Sequence, residues 1–329
     1  MFGMSMSVGI DLGTANILVY VKGKGIVLRE PSVVAVDKDS DKILAIGQEA
    51  RDMIGRTPGN IVAIRPLRDG VISDFNMTEA MVRYFLNKVA GKSFFFRPRV
   101  MVCVPTEITI VERRAIQEAT EQAGAKKVDL IEEPIAAALG AGIDISEPVG
   151  SMVVDIGGGT CDVAVISLGG IVNGQSIRVA GNKFDTDIET SIKRNHSLMI
   201  GERTAENIKM TIGAAYSGAR KVEMEIRGRD IVTGMPKNIT VETEEIVKAV
   251  TESVSKIVGC IRKVLDVTPP ELSADIFDRG IILTGGGALL YGLDELIRRE
   301  TGIPTAIADD PLSCVAIGTG KALESGQNF

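Results

Sequence analysis

The sequence has few of the side chains that most often bind metals or form disulfides, with four cysteines and one histidine in 329 residues. Cys103, Cys161, Cys260 and Cys314 are scattered through apolar or glycine-rich segments, and none has a C-x-x-C spacing. We therefore expect neither a disulfide framework nor a zinc site, which is typical of a protein of the reducing cytoplasm. His196 has no visible partner in the sequence, so we expect it to be solvated at a helix end and to have no catalytic or metal role.

Long apolar runs are also absent. No stretch approaches the roughly 20 uninterrupted apolar residues that span a bilayer, and residues 1–7 lack the basic start and apolar core of a secretion signal. Any contact with a membrane is therefore expected to be peripheral. The formal net charge of -6, from 37 basic and 43 acidic residues, argues against a protein built mainly to bind nucleic acid.

What the sequence does contain is a repeated hairpin pattern in an α/β chain. Strand-like residues 7–12 and 17–22 flank a turn at 13–16, and strand-like residues 151–156 and 161–167 flank a glycine-rich turn at 157–160. An aspartate, Asp11 or Asp155, precedes each turn. Strands alternate with helices along the rest of the chain, which predicts a mostly parallel sheet covered on both faces. One helix is expected to begin directly after residue 106 and another to occupy about 205–215, and the strand at 280–284 is expected to be the last. The two hairpins therefore predict a duplicated α/β core with one copy in each of two lobes.

The two turns have the composition of phosphate-binding loops. Turns rich in glycine let backbone N–H groups approach an anion, and two such turns facing each other could grip a polyphosphate. Asp11 and Asp155 would then lie where a divalent cation bridges the phosphates, and Mg²⁺ needs only one or two carboxylates. Each turn alone could be a simple turn, but their pairing favours the phosphate site. Neither a Walker A loop nor a Rossmann fingerprint is present.

A third glycine-rich turn follows the strand predicted at residues 280–284. It lies where open α/β sheets usually bind ligands, at the C-terminal end of a strand. The order and spacing of the three turns resemble those of the actin, sugar-kinase and DnaK-type chaperone superfamily over nearly the whole chain. The motifs that carry this resemblance are IDLGTAN at 10–16, LIEEPIAAA at 130–138, DIGGGTCD at 155–162 and LTGGGA at 283–288. Within the superfamily, RPLRDGVI at 65–72, VPTEIT at 104–109 and IEEP at 131–134 most closely resemble the MreB/Mbl family of bacterial cell-shape proteins.

This resemblance implies an actin-like fold, which is a ribonuclease H-like duplicated α/β core in two lobes of four subdomains around a nucleotide cleft. The implied subdomains are IA (1–30 and 75–147, with 321–329), IB (31–74), IIA (148–180 and 243–320) and IIB (181–242). The implied ligands are ATP or ADP and Mg²⁺, and the implied activity is a weak ATPase coupled to polymerisation.

The resemblance also assigns roles to residues. The implied nucleotide-binding residues are Gly13, Thr14, Ala15, Asn16, Gly157, Gly158, Gly159, Thr160, Glu206, Lys209, Gly285, Gly286, Gly287 and Ala288. Asp11 and Asp155 would lie at the metal, directly or through water, and count with Glu133 as the catalytic set. Glu133 occupies the position that orients the attacking water, and Glu132 is its rival. The alternative for Glu206 and Lys209 is a surface ion pair between residues i and i+3.

A run of three phenylalanines, Phe94, Phe95 and Phe96, predicts a membrane contact. Lys92, Arg97 and Arg99 flank it, and apolar side chains ringed by cations suit an anionic bilayer surface. The alternative is that one or two of the rings fold back into the core. Phe2, in a segment too short for a stable helix, is a secondary candidate.

The family resemblance implies a homopolymer that forms filaments on the inner face of the cell membrane and organises cell-wall elongation to maintain rod shape. Its implied partners are further copies of itself, membrane lipid and cell-wall elongation proteins, and no nucleic acid is expected. The alternative is a small-molecule kinase for a sugar or acetate from the same superfamily. A DnaK-type chaperone would need a substrate-binding domain after residue 323, where we expect none.

Overall fold

The structure is a computed structural model that describes residues 6–90 and 97–325. No helix in these ranges is both long and apolar enough to cross a membrane. The elements of the first half are β1 (Ser7–Leu12), β2 (Asn16–Val21), β3 (Gly25–Pro31), β4 (Val34–Asp37), β5 (Lys42–Ile46), α1 (Gln48–Met53), β6 (Ile61–Ile64), β7 (Leu67–Arg68), β8 (Val71–Ile72), α2 (Phe75–Ala90), β9 (Arg99–Val104), α3 (Ile110–Gln122), β10 (Lys127–Glu132) and α4 (Glu133–Gly140).

The second half is similarly mixed. Its elements are β11 (Ser151–Ile156), β12 (Cys161–Ser167), β13 (Gly170–Ile177), α5 (Gly181–His196), β14 (Leu198–Met199), α6 (Glu202–Ile212), β15 (Glu223–Asp230), β16 (Pro236–Glu242), α7 (Thr243–Asp266), α8 (Pro270–Arg279), β17 (Ile281–Thr284), a 3₁₀ turn (Gly286–Leu289), α9 (Leu293–Thr301), β18 (Thr305–Ile307) and α10 (Cys314–Ser325).

Two five-stranded sheets of matching topology form the core of the molecule. Their strand orders are β10-β9-β1-β2-β3 and β13-β12-β11-β17-β18. Each contains an antiparallel hairpin, β1/β2 or β11/β12, whose first strand also pairs in parallel with a later strand, β9 or β17. Every residue of β11 and all but the last of β12 are buried, as expected for strands covered on both faces. The predicted duplicated α/β core is therefore confirmed. The expectation of a mostly parallel sheet was wrong, since each sheet has two parallel and two antiparallel strand pairings.

In each half of the chain, an inserted segment follows the edge strand of the five-stranded sheet, which is β3 in the first half and β13 in the second. Residues 31–74, called the first inserted segment, follow β3 and contain the small sheet β5-β4-β6 with α1. Residues 181–242, called the second inserted segment, follow β13 and contain α5, α6 and the small sheet β14-β15-β16. These small sheets support the subdomain boundaries drawn above, which we keep as a proposal.

Helices α4 and α10 join the two sheets. One apolar cluster combines Met101 and Ile131 of the first sheet with Val153 and Ile166 of the second, together with both helices. The helices cross at glycines, since a Cβ on Gly318 would clash with the carbonyl oxygen of Ala136. This packing holds the two sheets together and so positions the two hairpins opposite each other.

Several element boundaries differ from those predicted. The helix expected soon after residue 106 begins at Ile110, because Thr109 and Glu112 form a capping box that defines its start. The helix expected at 205–215 occupies Glu202–Ile212, and the strand expected to be the last is followed by Thr305–Ile307. His196 is the last residue of α5, as expected, but the expectation that it has no partner was wrong, because its half-buried ring places Nε2 2.8 Å from a carboxylate oxygen of Glu245.

Candidate functional site

The turns of the two core hairpins touch each other. A Cβ on Gly158 would lie 2.6 Å from the Cβ of Ala15, and a Cβ on Gly159 would lie 2.6 Å from Oγ1 of Thr14. Both distances are too short for real carbon atoms, so only glycine allows this approach. The structure therefore brings the turns at 13–16 and 157–160 face to face, as the phosphate-site hypothesis requires.

A turn of the first inserted segment, at Asp69 and Gly70, contacts both hairpins. The N–H of Gly70 donates a hydrogen bond to Oγ1 of Thr14 over 3.1 Å. A Cβ on Gly70 would lie 3.0 Å from Cγ2 of Thr160, and φ values of 50° at Asp69 and 76° at Gly70 place both residues in the left-handed region. These two residues belong to the motif RPLRDGVI, and an Asp-Gly pair is itself a turn signal in a sequence.

The third glycine-rich turn packs directly against the second hairpin. Strand β17 lies parallel to β11 and pairs Thr284 with Asp155. Gly285 has φ 78°, and a Cβ on it or on Gly287 would clash with Ile156 at the end of β11. The turn Gly285–Ala288 therefore has bare backbone at the carboxyl end of the sheet, beside the second phosphate-type turn.

Asp155 is buried and Asp11 is half-buried beneath the hairpin turns. Burial raises the pKa of Asp11 to about 6, although the Cys103 thiol, 3.4 Å from its Oδ1, partly opposes the shift. Burial likewise raises the pKa of Asp155 to about 7, despite a 2.8 Å hydrogen bond donated by Thr284 Oγ1. The two carboxylates thus occupy an environment in which negative charge lacks solvation.

Glu133 is the first residue of α4 and lies among the same carboxyl groups. Burial raises its pKa well above the ordinary value, and Asp162, Asp155 and Asp11 raise it further. Glu132, by contrast, is the half-buried last residue of β10. Glu133 is therefore close enough to both aspartates for their charges to raise its pKa.

Asp162 is a member of this carboxyl group to which the sequence analysis gave no role. It is fully buried on β12, opposite Asp155, and it accepts a 3.1 Å hydrogen bond from the N–H of Thr106. Burial raises its pKa. A charged residue inside the otherwise apolar strand CDVAVIS was the available sequence signal.

These four neighbouring carboxyl groups need positive charge nearby if they are to be ionised together. Among the described residues, no lysine or arginine forms an ion pair with Asp11, Glu133, Asp155 or Asp162. Buried carboxyls without counter-charge must take up protons or acquire a cation. No cluster of three or more His, Cys, Asp or Glu within residues 6–90 and 97–325 is arranged to chelate a metal by itself. The donor set fits Mg²⁺, which binds through one or two carboxylates together with water and phosphate oxygens.

Glu206 and Lys209 lie on α6, but no ion pair joins them, so the simple i,i+3 alternative is wrong. Glu206 pairs with Arg51 of the first inserted segment. Lys209 Nζ lies 2.8 and 2.9 Å from the two oxygens of Asp185 and donates a 3.0 Å hydrogen bond to the Gly181 carbonyl.

The anchor of Lys209 is connected to the second hairpin. The N–H of Gly181 donates to the Gly157 carbonyl over 3.1 Å, and the N–H of Asn182 donates to the Gly158 carbonyl over 2.8 Å. Burial raises the pKa of Asp185, while Lys209 partly lowers it. Gly181 therefore connects Lys209 to the glycine-rich turn, because it forms a hydrogen bond with each.

The membrane-contact prediction falls largely outside the described residues. Phe2 and the run Phe94 to Phe96 lie there, and of the flanking cations only Arg97 and Arg99 are described. Arg97 is exposed, whereas Arg99 Nε forms a 2.7 Å ion pair with Asp129. Arg99 therefore already has an intramolecular counter-charge.

The duplicated core with its facing turns places the molecule in the actin-like class of folds. The chain belongs to the MreB/Mbl family, since the family description "MreB/Mbl protein" matches residues 5–329. It is 60% identical over 318 residues to the cell shape-determining protein Mbl of Bacillus cereus, covering 97% of this chain and 96% of that protein. It is 54% identical over 325 residues to the cell shape-determining protein MreB of Escherichia coli K12, covering 97% and 94%.

Solved structures agree with this assignment. The crystal structure of MreB5 of Spiroplasma citri bound to ADP superposes with a TM-score of 0.93 at 39% identity, covering 98% of this chain and 97% of that one. The same protein bound to AMPPNP gives a TM-score of 0.92 at 39% identity, covering 98% and 99%. The MamK double helical filament has a TM-score of 0.83 at 22% identity, covering 97% and 98%, and is similar in fold. The predicted family and the actin-like fold are confirmed.

Proposed function

We propose that this chain binds ATP and ADP with Mg²⁺ between its two hairpin turns, hydrolyses ATP slowly, and polymerises into membrane-associated filaments that organise cell-wall elongation and maintain rod shape. The observation that carries the nucleotide part is the direct contact of the turns at 13–16 and 157–160. MreB5 of Spiroplasma citri, which is 39% identical, has been crystallised with ADP and with AMPPNP. The cell-shape part rests on family membership and on the Mbl and MreB relatives.

The proposed phosphate contacts are the backbone N–H groups of the two glycine-rich turns. Thr14 and Thr160 add hydroxyls beside those turns, and the turn Gly285–Ala288 supplies bare backbone for the nucleoside. Glu206 and Lys209 are proposed to line the adenine and ribose side. A helix side chain held as firmly as Lys209 loses little conformational entropy when a ligand arrives.

The proposed metal residues are Asp11 and Asp155. They would hold Mg²⁺, which would supply positive charge beside the phosphates. Burial disfavours the ionised forms of both aspartates, and Asp162 adds to this effect at Asp155, so a cation beside them would favour their ionised forms. Asp162 lies opposite Asp155 and adds to the negative potential that attracts the cation.

Glu133 is the proposed catalytic residue for ATP hydrolysis. Its position at the start of α4, below both turns, lets its carboxylate accept a hydrogen bond from a water molecule and polarise it. The water would attack the terminal phosphorus atom, with ADP as the leaving group. Burial and the surrounding carboxyls favour the protonated form of Glu133 in the nucleotide-free protein. In this proposal Glu133 would become the carboxylate that orients the water when Asp11 and Asp155 hold a cation.

Membrane attachment is proposed to depend on Phe94, Phe95 and Phe96, with Phe2 as a secondary contact. Burying one Phe side chain gains roughly 1.5–3 kcal/mol, so three give at most about 5–9 kcal/mol before ordering costs are subtracted. A single subunit would bind only marginally. A filament that presents many such segments on one side binds far more tightly by avidity. The proposed location is the inner face of the cell membrane, with cell-wall elongation proteins as partners.

The contact between the turns gives a direct test of the nucleotide proposal. Gly158→Ala inserts a methyl group where Ala15 leaves no room and forces the turns apart, so we expect affinity for a fluorescent ATP analogue with Mg²⁺ to fall at least about tenfold. Gly170→Ala is the matched control, because a Cβ at Gly170 meets no atom within 4 Å. Unchanged nucleotide affinity in Gly158→Ala would remove the facing turns from the site.

A further inference from the structure

Three ion pairs join the two inserted segments across the cleft. Within residues 6–90 and 97–325, Arg51 and Asp52 lie on α1 and Arg65 directly follows β6, and all three partners lie on α6. The pairs, called the cross-cleft ion pairs below, are Arg51 with Glu206, Arg65 with Glu202, and Asp52 with Arg203, the last at 3.3 Å.

Each inserted segment is also tied at its base to one hairpin turn. In the first segment, Ser32 donates from its N–H to the Ala15 carbonyl over 3.0 Å and from its hydroxyl to the Gly13 carbonyl over 2.5 Å. In the second, the N–H of Gly181 donates to the Gly157 carbonyl. A closed ring results, in which the hairpin turns touch at one side and the cross-cleft ion pairs meet at the other.

We propose that the cross-cleft ion pairs form a latch that retains a bound nucleotide and sets its release rate, with Arg51 and Arg65 as positioning residues. This inference rests on the proposed nucleotide site. Glu206 connects the latch to that site because it belongs to both. Arg51 binds Oε2 of Glu206, which leaves Oε1 to accept a hydrogen bond from a ligand hydroxyl.

The strength of the pairs suits a latch that must open. The Arg51 and Glu206 side chains are 28% and 32% exposed, so their pair is partly screened by water and can break without unfolding the core. Asp52 and Arg203 are 53% and 42% exposed and contribute least. One partly exposed pair changes an equilibrium by up to about fivefold, and two independent pairs multiply.

The charges on the two helices are complementary. Helix α6 presents Glu202, Arg203 and Glu206, against which the first segment presents Arg65, Asp52 and Arg51. The two charges are opposite in each of the three pairs, and all three pairs form together in the observed alignment of the segments. The latch therefore favours one closed arrangement of the cleft.

The release rate of a fluorescent ADP analogue, measured by stopped flow with excess unlabelled ADP, tests the latch. We expect Arg51→Ala or Arg65→Ala to accelerate release about threefold to fivefold, and the double variant by about tenfold or more. Raising the salt concentration should accelerate release from the wild type and have little effect on the double variant. Arg56→Ala is the control, since Arg56 is exposed in the same segment and outside the three pairs.

Charge reversal separates the latch from a general effect on folding. Arg65→Glu should accelerate release, and Arg65→Glu combined with Glu202→Arg should restore the wild-type rate with the signs exchanged. If the Ala variants lower the melting temperature, the charge-reversed pair still tests whether the ion pair sets the release rate. Release at the wild-type rate from the double Ala variant, or a reversed pair as fast as Arg65→Glu alone, overturns the latch. Absence of analogue binding to the wild type refutes instead the nucleotide site itself.

Discussion

Replacing Asp155 by Asn should stabilise the nucleotide-free protein at alkaline pH and abolish its response to Mg²⁺ and ATP. Burial raises the pKa of Asp155 from its ordinary value of 3.8 to about 7 in the folded chain. The folded state therefore holds a proton that the unfolded state releases between these values, so this carboxyl makes stability fall as pH rises from about 4 to about 7. The difference between the two pKa values lowers the free energy of unfolding at pH 8 by at most about 4 kcal/mol.

Asn has the same shape and no charge, and its Oδ1 can still accept the hydrogen bond from Thr284. Urea unfolding of the nucleotide-free protein should show a gain of about 2–4 kcal/mol for Asp155→Asn at pH 8. The gain should shrink towards zero near pH 4, where Asp155 of the wild type is protonated. With ATP and Mg²⁺, the melting temperature should rise for the wild type and stay constant for the variant.

Asp230→Asn supplies a control of opposite sign. The N–H groups of Thr233 and Val232 and the ammonium of Lys237 hold the pKa of Asp230 at about 2. Its charge therefore stabilises the folded state above pH 3.8, and this contribution is lost as pH falls through about 2. Asp230→Asn should lower stability at pH 8 and leave the response to ATP intact. Loss of stability at pH 8 in Asp155→Asn would refute the view that burial, uncompensated by a cation, governs this carboxyl.

Three further outcomes are expected. Glu133→Ala should slow ATP hydrolysis at least about a hundredfold while nucleotide affinity stays near that of the wild type, and unchanged turnover in a phosphate-release assay would remove Glu133 from the mechanism. Gly318→Ala should lower the free energy of unfolding in urea by at least about 1–3 kcal/mol, because its methyl group clashes with Ala136. In the control Gly259→Ala the new methyl group lies in open space on α7, so the free energy of unfolding should rise by about 0.5–1 kcal/mol. Changing Phe94, Phe95 and Phe96 together to Ser should abolish liposome pelleting and preserve ATPase activity, and retained pelleting would transfer the anchor to the N-terminus.

The core hairpins were predictable from sequence because their signals are local. Short runs of apolar residues indicate β1, β2, β11 and β12, and the glycines at 157–159 mark the turn of the second hairpin without reference to the rest of the chain. The start of α3 was equally local, since Thr109 and Glu112 have the spacing of a capping box. That boundary was available in the sequence and was placed too early.

Contacts between distant parts of the chain could not be predicted in the same way. Arg51 meets Glu206 across 155 positions, and no periodicity or spacing encodes which surface charges will face each other. The pairing of Asp162 with the Thr106 backbone depends likewise on how two sheets are placed by α4 and α10. The roles of such residues depend on packing, so no role could be assigned to Asp162, Arg51 or Arg65 from the sequence alone.

Electron microscopy of the purified chain on a monolayer of anionic lipid tests the central claim most directly, because it examines nucleotide, polymer and membrane together. The account predicts filaments lying on the monolayer with ATP and Mg²⁺, and far fewer for Gly158→Ala under the same conditions. Absence of filaments from the wild type, together with ADP production that a sugar or acetate stimulates, would contradict it.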